Sequence, residues 1–166
     1  MAACLKYTRR VWQSFVKTQG HDMQCFPNLV IEKATPGVVH TSMKIESYNV
    51  NRVGAHGGLI LSLTDTLGSL AVASKGYWMT GVSTDVGASF VRPAGRVGDV
   101  LYAKSTLTAL GKSLAYTRTD FTNAAGDLVA YGYHTKYVGK SGSHEKNVKL
   151  SEDGETLVEG QDLDVD

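Results

Sequence analysis

Between Gly58 and Lys75 the chain reads GLILSLTDTLGSLAVASK, apolar on nearly every side of a helix. Leu59, Leu63, Leu67 and Leu70 recur at helical spacing, and Ile60, Leu61, Ala71, Val72 and Ala73 fill most of the remaining sides. A helix apolar all round is buried all round, so the rest of the chain has to wrap it. The residues C-terminal to it read as strand after strand. GVSTDVGASFV sets Val82, Thr84, Val86, Ala88 and Phe90 against Ser83, Asp85 and Ser89. DVLYAKSTLTA, SLAYTRTDFT and LVAYGYHTKYV alternate in the same way. Their links, at Leu110-Gly111-Lys112 and Asn123 to Asp127, are short enough to force an antiparallel meander. The expected architecture is α+β, an antiparallel sheet wrapped about a central helix.

Before the helix, LKYTRRVWQSFVKTQ predicts an amphipathic helix carrying Leu5, Trp12, Phe15 and Val16. NLVIEK and VVHTSMKIES flank a Thr35-Pro36-Gly37 turn and read as half-buried strands. With 166 residues, 42% hydrophobic and 20% charged, the chain fits one domain with a proper core. That domain is expected over residues 1–139. Residues 140–166 turn Gly/Ser-rich and then acidic, and are expected to form a disordered tail.

Composition excludes several classes. Ser62, Thr64, Asp65, Thr66 and Ser69 interrupt the best apolar run, so no membrane span is expected. Cys4 and Cys25 have neither metal spacing nor a disulfide framework, which suits a reducing compartment. The early basic residues Lys6, Arg9, Arg10 and Lys17 read as a surface helix before a transit peptide, so the expected location is cytoplasmic or mitochondrial. Basic and aromatic residues do not interleave as an RNA-binding sheet requires. The net charge of +1 hides an asymmetry: seven acids and no lysine or arginine follow Leu150, while all 17 basic residues precede it with nine acids. A domain carrying about +8 suits a polyanionic ligand or simply a solvated surface.

Two features inside the apolar stretch need a reason. His56-Gly57-Gly58 opens the helix, where N–H groups and the helix dipole can stabilise an anion or oxyanion, or where glycines only serve the turn. Asp65 lies in mid-helix. A carboxylate there is hydrogen-bonded by Ser62 and Ser69 at i−3 and i+4, or faces a cleft as general base or nucleophile. Gly57 and Asp65 are eight residues apart, about 12 Å along a helix axis, so they can act on one carbonyl only from two different chains. An obligate dimer is the consequence of that geometry if both take part.

NRVGAHGGLILSLTDTLGSLA, GVSTDVGASFVRPAGRVGD and ALGKSLAYTRTDFTNAAGDLVAYGYHTKY together resemble the hotdog-fold acyl-CoA thioesterases. The resemblance spans roughly Glu32 to Val138. It implies a hotdog fold and hydrolysis of medium- to long-chain fatty acyl-CoA without metal or cofactor. Carried over by motif, Asp65 activates water or attacks directly, Ser83 orients the water, and the Gly57 N–H polarises the thioester carbonyl. His56 positions the turn. The family often places an asparagine six residues before that histidine; here Asn51 is five before it and Asn49 seven, and Asn51 is the favoured substrate contact. The segments Phe90, Val91, Arg92, Pro93, Ala94, Gly95 and Gly111, Lys112, Ser113, Leu114, with Lys136, are the expected CoA contacts. The family also implies a homotetramer built as a dimer of dimers. The alternatives are a hotdog enoyl-CoA hydratase using His56 as base, or a non-catalytic acyl-CoA-binding scaffold.

Overall fold

A computed structural model describes residues 1–161. Helix α1 (Ala3–Lys17) and the short α2 (His21–Cys25) lead into the hairpin β1 (Val30–Thr35) and β2 (Val38–Lys44). After a 3₁₀ turn at Ser47–Asn49 comes the central helix α3 (Gly57–Ala73), then β3 (Val82–Phe90), β4 (Val100–Leu110), β5 (Leu114–Thr122) and β6 (Leu128–Tyr137). Six strands form one antiparallel sheet in the order β1-β2-β4-β5-β6-β3. The meander β4-β5-β6 is as the short turns predict. Strand β3 joins β6 at the far edge instead of preceding β4, an arrangement no local pattern encodes.

The sheet curls round α3, whose Leu59, Ile60, Leu63, Leu67 and Leu70 are buried against Val39, Leu101, Phe121 and Val129. Helix and sheet approach most closely where glycine permits it. A Cβ added to Gly68 would stand 2.6 Å from Thr117 Oγ1 and 2.8 Å from His134 Nδ1. The loss of helix propensity at that glycine, about 1 kcal/mol, is offset by the packing it allows.

The helix is not enclosed on every side. Leu61 is 38% exposed and the Asp65 side chain 46%, on a strip next to the open edge of β3. That edge is exposed along Val82 to Val86.

Two other expectations meet a different structure. Helix α1 buries Cys4, Tyr7, Val11 and Trp12, while Leu5, Phe15 and Val16 are only partly covered. The cause is the segment after Gly139, which differs from the disordered tail expected of its composition. It forms β7 (Lys149–Leu150) and β8 (Leu157–Glu159) and lies against α1. The Ala3 and Cys4 N–H groups donate to Glu155 O and Gly154 O, satisfying two of the donors a helix start leaves free. Tyr7 Oη shares its one proton between Gly76 O at 3.1 Å and Lys146 O at 3.0 Å, and Lys146 Nζ sits 4.9 Å over the Trp78 ring. The rest of the expected tail, 162–166, lies outside the described residues.

Candidate active site

His56 is the N-cap of α3. Its Nδ1 accepts from the Gly58 N–H at 2.8 Å, and its main-chain N–H donates to Asn49 O. That bond occupies the Nδ1 lone pair and suits a capping role better than a general base at that nitrogen. Gly57, the first helical residue, lines a pocket of about 290 Å³ with Asn51, Phe90, Arg92 and Ala94 among its walls. Of the two asparagines only Asn51 reaches this pocket. Its Oδ1 accepts from the N–H groups of Val53 and Gly54, an Asx turn. Asn49 is buried, bonded through its side chain to Glu46 N and Cys25 O. Val91 and Pro93 line the same pocket, and Gly95 shapes its rim by accepting from the Ala55 N–H.

Asp65 is two turns further along α3. Its carboxylate is not held by Ser62 or Ser69: Ser62 Oγ pairs with His21 Nε2, and Ser69 Oγ donates to the Asp65 main-chain carbonyl. The partner is Ser83, whose Oγ donates to Asp65 Oδ2 at 2.9 Å. Strict alternation along β3 would turn Ser83 outward with Asp85. The β3–β6 register slips between Ser83 and Asp85, however, so Ser83 lies opposite Lys136 and Val86 opposite His134, both on the inner face. Thr84 is the extra residue of this bulge. A bulge re-aims one side chain without unpairing the strand, and here it aims the serine at the helix.

His134 completes the group. It is fully buried, with Nε2 2.8 Å from Ser83 Oγ and 3.8 Å from Asp65 Oδ2. Burial first, and then the Lys136 charge, push its pKa down to about 4, so it is neutral near pH 7. Ser83 has one proton and gives it to Asp65, so His134 must carry its own on Nε2 and donate to the serine oxygen. Its Nδ1 is then a bare acceptor, buried without a partner against Gly68. The signal in the sequence was the inward-facing order Gly132, His134, Lys136, polar groups on the side of a strand that should meet the core.

The two groups of residues lie apart on the chain. Asn51, Gly57 and Phe90 to Ala94 lie at the C-terminal end of β3; Asp65, Ser83 and His134 lie at its N-terminal end. Seven residues of strand separate Ser83 from Phe90, about 23 Å. The hairpin Gly111 to Leu114 sits beside the second group, where Leu114 pairs with Tyr137 and Ser113 O accepts from the Val138 N–H. Lys136 does not join the expected CoA contacts. It is 3% exposed, with Nζ donating to Ser69 Oγ on α3, because its strand position faces the helix. Among the described residues no three His, Cys, Asp or Glu side chains are grouped to hold a metal ion.

The sequence pattern of the thioesterase superfamily matches residues 54–130, which include Gly57, Asp65 and Ser83. Acyl-coenzyme A thioesterase 13 of Homo sapiens is 31% identical over 141 residues, covering 84% of this chain and 99% of its own length. This chain belongs to the thioesterase superfamily. A Schizosaccharomyces pombe protein provisionally named an esterase is 38% identical, covering 90% of this chain and 94% of its own. The crystal structure of zebra fish thioesterase superfamily member 2 superposes with a TM-score of 0.71 at 30% identity, covering 78% of this chain and 94% of its own. The sheet wrapped on α3 is thus the hotdog fold of this superfamily, and the protein is a thioester hydrolase. Membership also sets aside the scaffold reading.

Proposed function

We propose that this thioesterase hydrolyses medium- to long-chain fatty acyl-CoA at two equivalent sites, each built from two copies of the chain. The proposal rests on one observation: an accessible carboxylate, Asp65, held by Ser83 on a largely buried helix, far from the Gly57 pocket of the same chain. A two-fold axis crossing the exposed edge of β3 near Val86 repairs that separation. Antiparallel pairing of β3 with its own copy sets the Ser83 end of one strand beside the Phe90 end of the other. Val82, Val86 and Phe90, exposed in the single chain, are then covered.

In this arrangement a water rests between the Asp65 carboxylate and the thioester carbonyl. Asp65 takes a proton as the water oxygen attacks, and the Gly57 N–H of the second copy binds the developing oxyanion at the positive end of α3. Collapse of the tetrahedral intermediate expels CoA thiolate, which recovers a proton, and leaves the free acid. Asp65 attacking directly, through an anhydride that water then opens, uses the same geometry. Phe90 to Gly95 and Arg92 of one copy and the Gly111 to Leu114 hairpin with Lys112 of the other are the nearest groups to the CoA phosphates. The acyl chain lies against the open strip of α3 at Leu61. The name of the human relative supports the acyl-CoA substrate. Pairs stack further into a tetramer through the outer sheet face, where Tyr102, Tyr116, Tyr133 and Tyr137 are exposed.

Thiol release across an acyl-CoA length series tests the substrate. Asp65→Asn abolishes turnover while substrate still binds. Gly57→Pro deletes the N–H at a position where proline fits, since His56 already has φ −69° and ψ 137°. Co-expressing the two inactive variants restores about a quarter of wild-type activity if each site draws on two chains, because half the random dimers carry one intact site. No recovery means that both residues act within one chain.

A further inference from the structure

Strand β6 turns His134 and Lys136 inward, two residues apart, and each leads by a serine to the same helical residue. His134 reaches the Asp65 carboxylate through Ser83. Lys136 reaches its main chain: Nζ donates to Ser69 Oγ at 2.8 Å, and Ser69 Oγ donates to Asp65 O at 3.0 Å. A serine hydroxyl has one proton and rotates freely. The ammonium takes a lone pair of Ser69 and so directs that proton into the helix, onto the carbonyl of Asp65.

Burying an ammonium costs several kcal/mol unless opposite charge faces it. The groups around Lys136 narrow the choice. Strand β5 sets Ala115 opposite Lys136 and Thr117 opposite His134, both uncharged; β3 sets Ser83 opposite Lys136, with Asp85 beyond the bulge opposite Thr135; β6 itself supplies His134, neutral; and α3 supplies Asp65. Burial lowers the Lys136 pKa and the Asp65 charge opposes that fall, while Lys136 itself helps to keep His134 unprotonated.

We infer that Lys136 is a positioning residue for Asp65, fixing its helical turn through Ser69 and supplying the buried positive charge that balances its carboxylate. This rests on Asp65 acting as base or nucleophile. Lys136 is therefore not a phosphate contact; at 3% exposure its ammonium does not reach one.

The test is palmitoyl-CoA hydrolysis from about pH 5 to about pH 9 by wild type, Lys136→Met, Lys136→Arg, Ser69→Ala and Asp65→Asn. Without the cation His134 protonates more readily. Lys136→Met is expected to lose roughly tenfold in kcat with KM within about twofold, and its acidic limb to move up by about one pH unit. Lys136→Arg recovers part of kcat and the wild-type limb. Folded Lys136→Met with wild-type kcat and an unmoved limb overturns the inference, as does a raised KM at unchanged kcat, the mark of a CoA contact. If Lys136→Met does not fold, Ser69→Ala decides. It keeps the charge and cuts the link, so kcat falls several-fold with the limb unmoved, and wild-type kcat there overturns the role. Asp65→Asn at full rate removes the underlying function as well, which separates the two failures.

Discussion

Ser83 Oγ stands 2.9 Å from the Asp65 carboxylate because β3 gains one residue, Thr84, beside it. Without that bulge the serine would share the outer face with Asp85 and Asp65 would have no hydroxyl partner from the sheet. The contact holds a half-exposed acid in one rotamer, the combination a general base or nucleophile needs.

Replacing Ser83 with alanine is expected to lower kcat by roughly 10- to 100-fold and leave KM near wild type, since in the proposed site the hydroxyl orients reacting groups without carrying binding area. Threonine, which keeps the hydroxyl, should recover part of the rate. Steady-state kinetics on both variants checks this; equal rates in wild type and Ser83→Ala contradict it.

His134 makes stability depend on pH. Its folded pKa, about 4, lies below its ordinary 6.5, so as pH falls through 6.5 the unfolded chain takes up a proton that the folded one refuses. Above that range it contributes nothing; stability is lost between about pH 6.5 and 4, on the order of 3 kcal/mol in total. Tm of wild type should fall over this window, and His134→Gln should flatten that part of the curve. A wild-type Tm constant from pH 7 to about 4.5 contradicts the assignment.

Val86 lies at the middle of the exposed edge of β3 and is 40% exposed in the single chain. A charge there blocks edge-to-edge pairing at small cost to the monomer. Val86→Lys is expected to sediment as a monomer, keep its helical and sheet signals, and lose thioesterase activity. An active monomer would contradict a site shared between copies.

The segment after Gly139 clasps α1 to the C-terminal end of α3. Cys4 lies beneath it, fully buried, its Sγ 3.3 Å from Ser74 O and its pKa pushed up by burial to about 11. In the intact protein Cys4 should resist thiol reagents while the half-buried Cys25 reacts. Ending the chain at Gly139 should lower Tm and open Cys4 to labelling, measured by mass spectrometry at matched times.

Hydrophobic periodicity was enough to place α3, the meander β4-β5-β6 and the turns between them, because helical and strand periods are local properties of the chain. The pairing of Gly57 with Asp65 on one rigid helix also came from spacing alone, and with it the distance that argues for two chains. Tertiary structure decided the rest. Only strand registry turns Ser83 inward, since a bulge belongs to a pair of strands and leaves no mark in either one. Only packing makes Lys136 a core residue and His134 a neutral donor, because burial depends on what faces a side chain from elsewhere in the sequence. The acidic segment near the C-terminus illustrates the same point: its composition suits solvent, and it is ordered through backbone hydrogen bonds to a helix start more than 140 residues away.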